Sequence, residues 1–168
     1  LCRPYGVHTQ MKMQEVVEYI ILFLLYGNES NVQQVGYTAD EHLWPNYRVV
    51  VVPNGHMGKQ IVLPTESDLE LRVEKQGNTY VVHTDVIYNT FFYISRAEEL
   101  LVSERDEHGR FLAKYSMLGH KNRLMIPLID EYARAIMKML DIALPTPRFS
   151  HIYLTHDVDS IAHYRHLR

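Results

Sequence analysis

The sequence predicts an α+β fold, with a mixed, largely antiparallel sheet and about three helices. Three observations carry this expectation. Apolar residues recur at helical spacing in three long segments. Four consecutive valines, Val49 to Val52, suit a strand buried on both faces. Leu69, Leu71 and Val73 alternate with Glu70, Arg72 and Glu74, the period of a strand with one wet face.

The first helix is expected over Met11 to Tyr26, where Met13, Val16, Val17, Ile20, Ile21 and Leu24 line up and Gly27-Asn28 supplies a stop. Residues 28–44 read as loop or a short strand. Tyr47 to Val52 is a strand ended by Pro53-Asn54-Gly55, and Gln60 to Leu63 is a second short one. Leu69 to His83 reads as a hairpin that turns at Gln76-Gly77-Asn78. The second helix runs from Asp85, its cap, to Val102, with Ile87, Phe91, Ile94 and Leu101 on one face. The third runs from Pro127 to Leu144, with Pro127 at the first helical position and Asp130 and Glu131 in a first turn that favours acids. Pro145-Thr146-Pro147 breaks it and divides the chain into residues 1–147 and 148–168.

Composition narrows the function classes. The chain has 168 residues, enough for one domain or one plus a fragment. At 46% hydrophobic and 22% charged, it is ordinary globular material. A formal charge of -3 provides no basic field for nucleic acid. One cysteine, Cys2, excludes an intramolecular disulfide and cysteine-rich zinc sites. The most apolar run, Tyr19 to Tyr26, is far short of the roughly 20 residues a membrane span needs.

The densest chemistry lies near the end, in His151-Ile152-Tyr153-Leu154-Thr155-His156-Asp157-Val158-Asp159. An apolar strand runs into Asp-x-Asp, and residues two apart on an extended chain project to one side. Asp157 and Asp159 can therefore face one pocket, where one carboxylate holds a divalent metal and the other takes a proton from water. The plainer alternative is that the pair caps a helix that follows. His163 and His166, three apart on that terminal segment, add little to a ligand set.

The run Leu154-Thr155-His156-Asp157-Val158-Asp159 resembles the first motif of polysaccharide deacetylases, metal-dependent carbohydrate esterases with a distorted (β/α) barrel. Phe91 to Glu99 and Asp106 to Phe111 are similar to an uncharacterised domain that precedes such a catalytic domain in bacterial proteins. The resemblance implies Asp157 as general base and Asp159 as a metal ligand, because the family's second aspartate falls on Val158. It also implies a divalent metal such as zinc, a carbohydrate substrate, and the chain's own C-terminal catalytic domain as partner of the N-terminal region. Residues 148–168 would then be the first strand of a truncated barrel. The family's His-x-x-x-His motif has no counterpart, since the ten histidines offer no i, i+4 pair. The expectation is an N-terminal accessory domain fused to the start of a deacetylase-like hydrolase, inactive as these 168 residues alone. Its location is open between the cytoplasm and the cell envelope of a bacterium. The rival is a noncatalytic binding or scaffold module.

Upstream, Arg96, Glu98, Glu99, Asp106 and Arg110 form the densest charged group. They read as an ion-pair network pinning the 103–110 loop, or as a polar binding site flanked by Phe92 and Tyr93. Trp44 offers a weak signal for stacking on sugar rings. Asp68, Glu70 and Arg72 faintly echo a metal-dependent nuclease, with arginine in the place of lysine.

Overall fold

The computed structural model describes residues 12–120 and 123–145. Among them, three helices of nine or more residues form: α1 (Met13–Leu24), α3 (Val86–Ile94) and α6 (Leu128–Met139). Three four-residue helices join them: α2 (Glu66–Leu69), α4 (Glu98–Leu101) and α5 (Met117–His120). The strands are β1 (Val35–Tyr37), β2 (Val49–Val51), β3 (Val73–Gln76) and β4 (Thr79–Val82), in the order β1-β2-β4-β3.

The α+β class and the mixed sheet are as expected, but the sheet is not largely antiparallel. β2 pairs parallel with both β1 and β4, and only β3 pairs antiparallel, with β4. The hairpin was the local signal. Its second strand β4, not its first, sits beside β2, and that order depends on long-range packing. Three of the four valines behave as expected: Val49, Val50 and Val51 are fully buried in the interior of the sheet, while the strand is shorter than Tyr47 to Val52 and Val52, beyond its end, is half-buried.

Period-2 alternation sorts the two faces. Val49, Val51 and Val82 meet Ile20, Leu24, Ile87, Tyr132 and Ile136, so α1, α3 and α6 cover one face. Val50 and Val81 point the other way, onto Trp44 in a 3-10 turn over Glu41–Asn46. Trp44 is buried there and donates its indole N–H to Thr38 O, so it is not a sugar platform.

Several boundaries moved for identifiable reasons. Thr65 and Asp68 form a capping box that draws Leu69 into α2, so the hairpin begins only at Val73. Residues 60–63 make no ladder. Instead, the Tyr88 hydroxyl accepts from Val62 N at 2.7 Å and donates to Val62 O at 2.6 Å. The expected 85–102 helix breaks at Arg96, whose φ is +57°, before the chain resumes as α4. Pro127 is the cap of α6 rather than its first residue, and Asp130 and Glu131 occupy the first turn.

Candidate functional site

Parallel strands of an α/β layer collect ligands at their carboxyl ends. Here Tyr37, Val51 and Val82 stand level at that end, through the pairs Tyr37–Val51 and Val51–Val82. Asp85 follows β4 and caps α3, accepting Tyr88 N at 2.8 Å. Its other oxygen accepts the Tyr37 hydroxyl at 2.8 Å and Asn54 N at 2.9 Å. One carboxylate thus joins the end of β1, the turn after β2 and the start of α3.

Burial pushes the Asp85 carboxyl above its ordinary range, although its three donors pull the other way. Burial, helped by the nearby Asp85 charge, also raises the Tyr37 phenol. The turn itself is local chemistry. Asn54 accepts His56 N at 2.9 Å, and Gly55 between them has φ +84°, where a side chain is strained. The half-buried His56 ring lies 5.5 Å from the Tyr88 ring, tilted. Both Asp85 oxygens are taken by the protein's own donors, so Asp85 is a clamp rather than a base open to substrate.

The charged group separates into local pairs. Arg96 pairs with Glu99 at 2.7 Å, and Arg110 with Asp106 at 2.7 Å. Hydrogen bonds from Arg110, first its backbone N–H, hold Asp106 below the usual carboxylate range. Glu98 joins neither pair. It is buried and accepts Met117 N at 2.6 Å, fastening α4 to α5. Arg105 donates to the carbonyls of Glu99, Val102 and Glu104 and so fixes the start of the loop. Phe92 is fully buried among Tyr88 and Ala97, so no aromatic platform flanks these charges at that position. The described contacts of the group are local ion pairs and hydrogen bonds; of the two expected flanking aromatics Phe92 is buried and Tyr93 is half-buried.

Asp68 is held by Thr65, whose hydroxyl lies 2.6 Å from its carboxylate. That bond is the main reason its pKa is lowered. It is a helix cap, not a nuclease ligand. Among the described residues, no three His, Cys, Asp or Glu side chains come together to hold a metal ion. Asp157 and Asp159 lie outside the described residues, as do the expected 151–155 strand and the break at Thr146-Pro147.

A family model matches residues 7–145. The chain belongs to DUF7033, a family of unknown function. No curated protein and no solved structure matches the chain. The DUF7033 match takes in every described element, including the Tyr37–Asn54–Asp85 clamp, and excludes Asp157 and Asp159. Sequence reasoning found Asp85 as a cap and Pro53-Asn54-Gly55 as a strand end. It missed that Tyr37 joins them, because that contact crosses 48 positions.

Proposed function

We propose that the DUF7033 unit is the N-terminal accessory region of a metal-dependent, polysaccharide-deacetylase-like hydrolase acting on acylated carbohydrate. The observation that carries this reading is the run Leu154-Thr155-His156-Asp157-Val158-Asp159. One further feature supports it. The family match stops at residue 145, beside the Pro145-Thr146-Pro147 break, which leaves the motif outside the matched residues.

On this reading Asp157 is the general base and Asp159 a metal ligand, while the accessory unit positions substrate or steadies the catalytic domain. The donor set in these 168 residues does not fit a complete metal site. It has two carboxylates and no i, i+4 histidine pair. The chain alone is therefore expected to be inactive.

The test is the coding sequence after Arg168 and the activity of the protein it encodes. The expected result is a His-x-x-x-His pair in the following segment, with metal-dependent release of acetate from an acetylated glycan that disappears in Asp157→Asn. A stop codon directly after Arg168 overturns the reading and leaves the noncatalytic module. Acetate release by the 168 residues alone overturns the predicted inactivity.

A further inference from the structure

Two hollows open beside α1. The larger, about 450 Å³, is an aromatic groove walled by Tyr19, Phe23, Ile94 and Ile129. The smaller, about 160 Å³, is a slot along the outer edge of β1. Gln14, Val17, Glu18 and Ile21, one stripe of α1, form one side of it. Val35, Gly36 and Tyr37, the whole of β1, form another. β1 is an outer strand of the sheet. Thr38 N–H donates to Val51 O and Arg48 N–H to Gln34 O, so the even positions of this stretch face β2. By alternation, Val35 C=O and the N–H and C=O of Tyr37 turn outward. Val35 N–H is taken by Val32 O, but those three groups have no partner among the described residues. An unpaired edge is a template for another strand. The opposite edge is guarded, since β3 is exposed along its length and carries Glu74 and Lys75. β1 carries no charge. The charged residue lining its slot is Glu18; one of its oxygens accepts Gln14 Nε2 at 3.0 Å, and no cation lines the slot. Tyr47 closes the other face of the strand, where a Cβ on Gly36 would stand 2.5 Å from Tyr47 Cδ2.

We propose that this edge binds an extended segment of a partner protein by strand addition, the segment carrying a lysine or arginine on the face turned to α1. Pockets for small molecules run to about 300–1,000 Å³, so a slot of this size suits a short stretch of chain. Residues level with one another on adjacent strands share a face. Val35 and Tyr37 pack on the α1 side of the sheet, so a partner residue level with either directs its side chain to Glu18. Its neighbours in the segment turn to the Tyr47 side. Main-chain bonds supply affinity in this mode of recognition, and side-chain pockets supply specificity. β1 is three residues long, so the main-chain bonds are few and the Glu18 contact decides which segment is accepted. This assignment goes beyond the deacetylase reading and does not rest on it, because neither Asp157 nor anything after Arg168 enters the argument.

Amide-resolved NMR on the 168-residue chain tests it, with blocked pentapeptides as probes. The peptide Ac-Thr-Val-Lys-Val-Thr-NH2 should bind with a Kd of about 1 mM or below and shift the amides of Val35, Tyr37 and Glu18. At saturation it should slow hydrogen exchange at Tyr37 by about tenfold or more. The same peptide with glutamate in place of lysine should bind at least about threefold more weakly, and Glu18→Lys should reverse that preference. Methylation of the three central peptide nitrogens should abolish binding, which a purely electrostatic contact with Glu18 would survive. No response at about 10 mM peptide overturns the proposal. So does equal binding of the lysine and glutamate peptides, or undiminished binding of the methylated one. A Tyr37 amide already protected in the free monomer overturns it, because another part of the same chain then holds the edge. Protection that appears only where sedimentation shows a dimer also overturns it, because a second copy is then the occupant.

Discussion

Two aspartates show how one residue type is turned to opposite electrostatic ends. Asp68 is half-buried and held by Thr65, so its folded pKa lies below the unfolded value of about 3.9. Its contribution to stability is present above that value and lost as pH falls through the folded pKa. Asp85 is buried, and its folded pKa is raised. Its contribution is present below about 3.9 and lost as pH rises through the folded pKa. Urea midpoints measured from pH 3 to 7 should therefore change slope in opposite senses. Asp68→Asn should flatten the loss on the acid side, and Asp85→Asn should flatten the loss on raising the pH. Parallel curves for both variants and the parent would remove this account. Tyr93 is a different residue-scale case. Its hydroxyl is buried without a hydrogen-bond partner among the described residues, as is Asn89 Oδ1 one turn earlier. A buried donor with no acceptor costs about 1–3 kcal/mol, so Tyr93→Phe should raise the urea midpoint or leave it unchanged. A loss of more than about 1 kcal/mol would mean that the hydroxyl has a partner in solution.

At the scale of elements, the three long helices end in the same way. After α1, α3 and α6 the next-but-one residue, Tyr26, Arg96 or Asp141, has φ between +51° and +57°. The following N–H then reaches back five residues: Gly27 to Leu22, Ala97 to Phe92, Ile142 to Met137. This is the Schellman ending, which usually places glycine at the left-handed position. Each non-glycine side chain here makes a contact instead. Tyr26 donates to Asp130 on α6, Asp141 pairs with Arg48 beside β2 at 2.6 Å, and Arg96 pairs with Glu99. The first two tie separate elements together. The Arg96 pair is local and largely exposed, of a kind that contributes little to stability. Relief of the left-handed strain by Arg96→Gly should therefore stabilise the chain by up to about 1 kcal/mol, seen as a rise in Tm. A clear fall in Tm would show that the Arg96 side chain holds more than Glu99. The sequence showed where these helices lay, because apolar spacing is local. It did not show that the second would break at Arg96, since no glycine or proline marks the spot.

For the whole molecule, what was legible follows the range of the interactions. The valine strand, the Asp85 cap and the third helix were readable, because each depends on neighbours within a few residues. The largely parallel pairing of the sheet was not. β1 and β2 are three residues long, and their register is set by α1 and α6 packing over Val35, Val49 and Val51. The charged group was legible as ion pairs but not in its partition, because Glu98 is engaged by Met117, 19 positions on. The aromatic groove was half legible. Tyr19, Phe23 and Tyr26 were visible as an apolar run, while the opposing wall from Ile94 and Ile129 required the fold.

The Asp85 clamp also bears on the order of assembly. Its partners Asn54 and Tyr37 lie 31 and 48 positions away, and it can close only after β1, β2 and β4 are side by side. Such a contact pays its loop-closure entropy last, on the downhill side of the folding barrier. Asp85→Ala should then lower equilibrium stability by about 3 kcal/mol while leaving the refolding limb of the chevron nearly unchanged. The deficit should appear as faster unfolding. In kinetic terms the buried carboxylate is a latch: it does little to bring the strands together and much to keep them from parting.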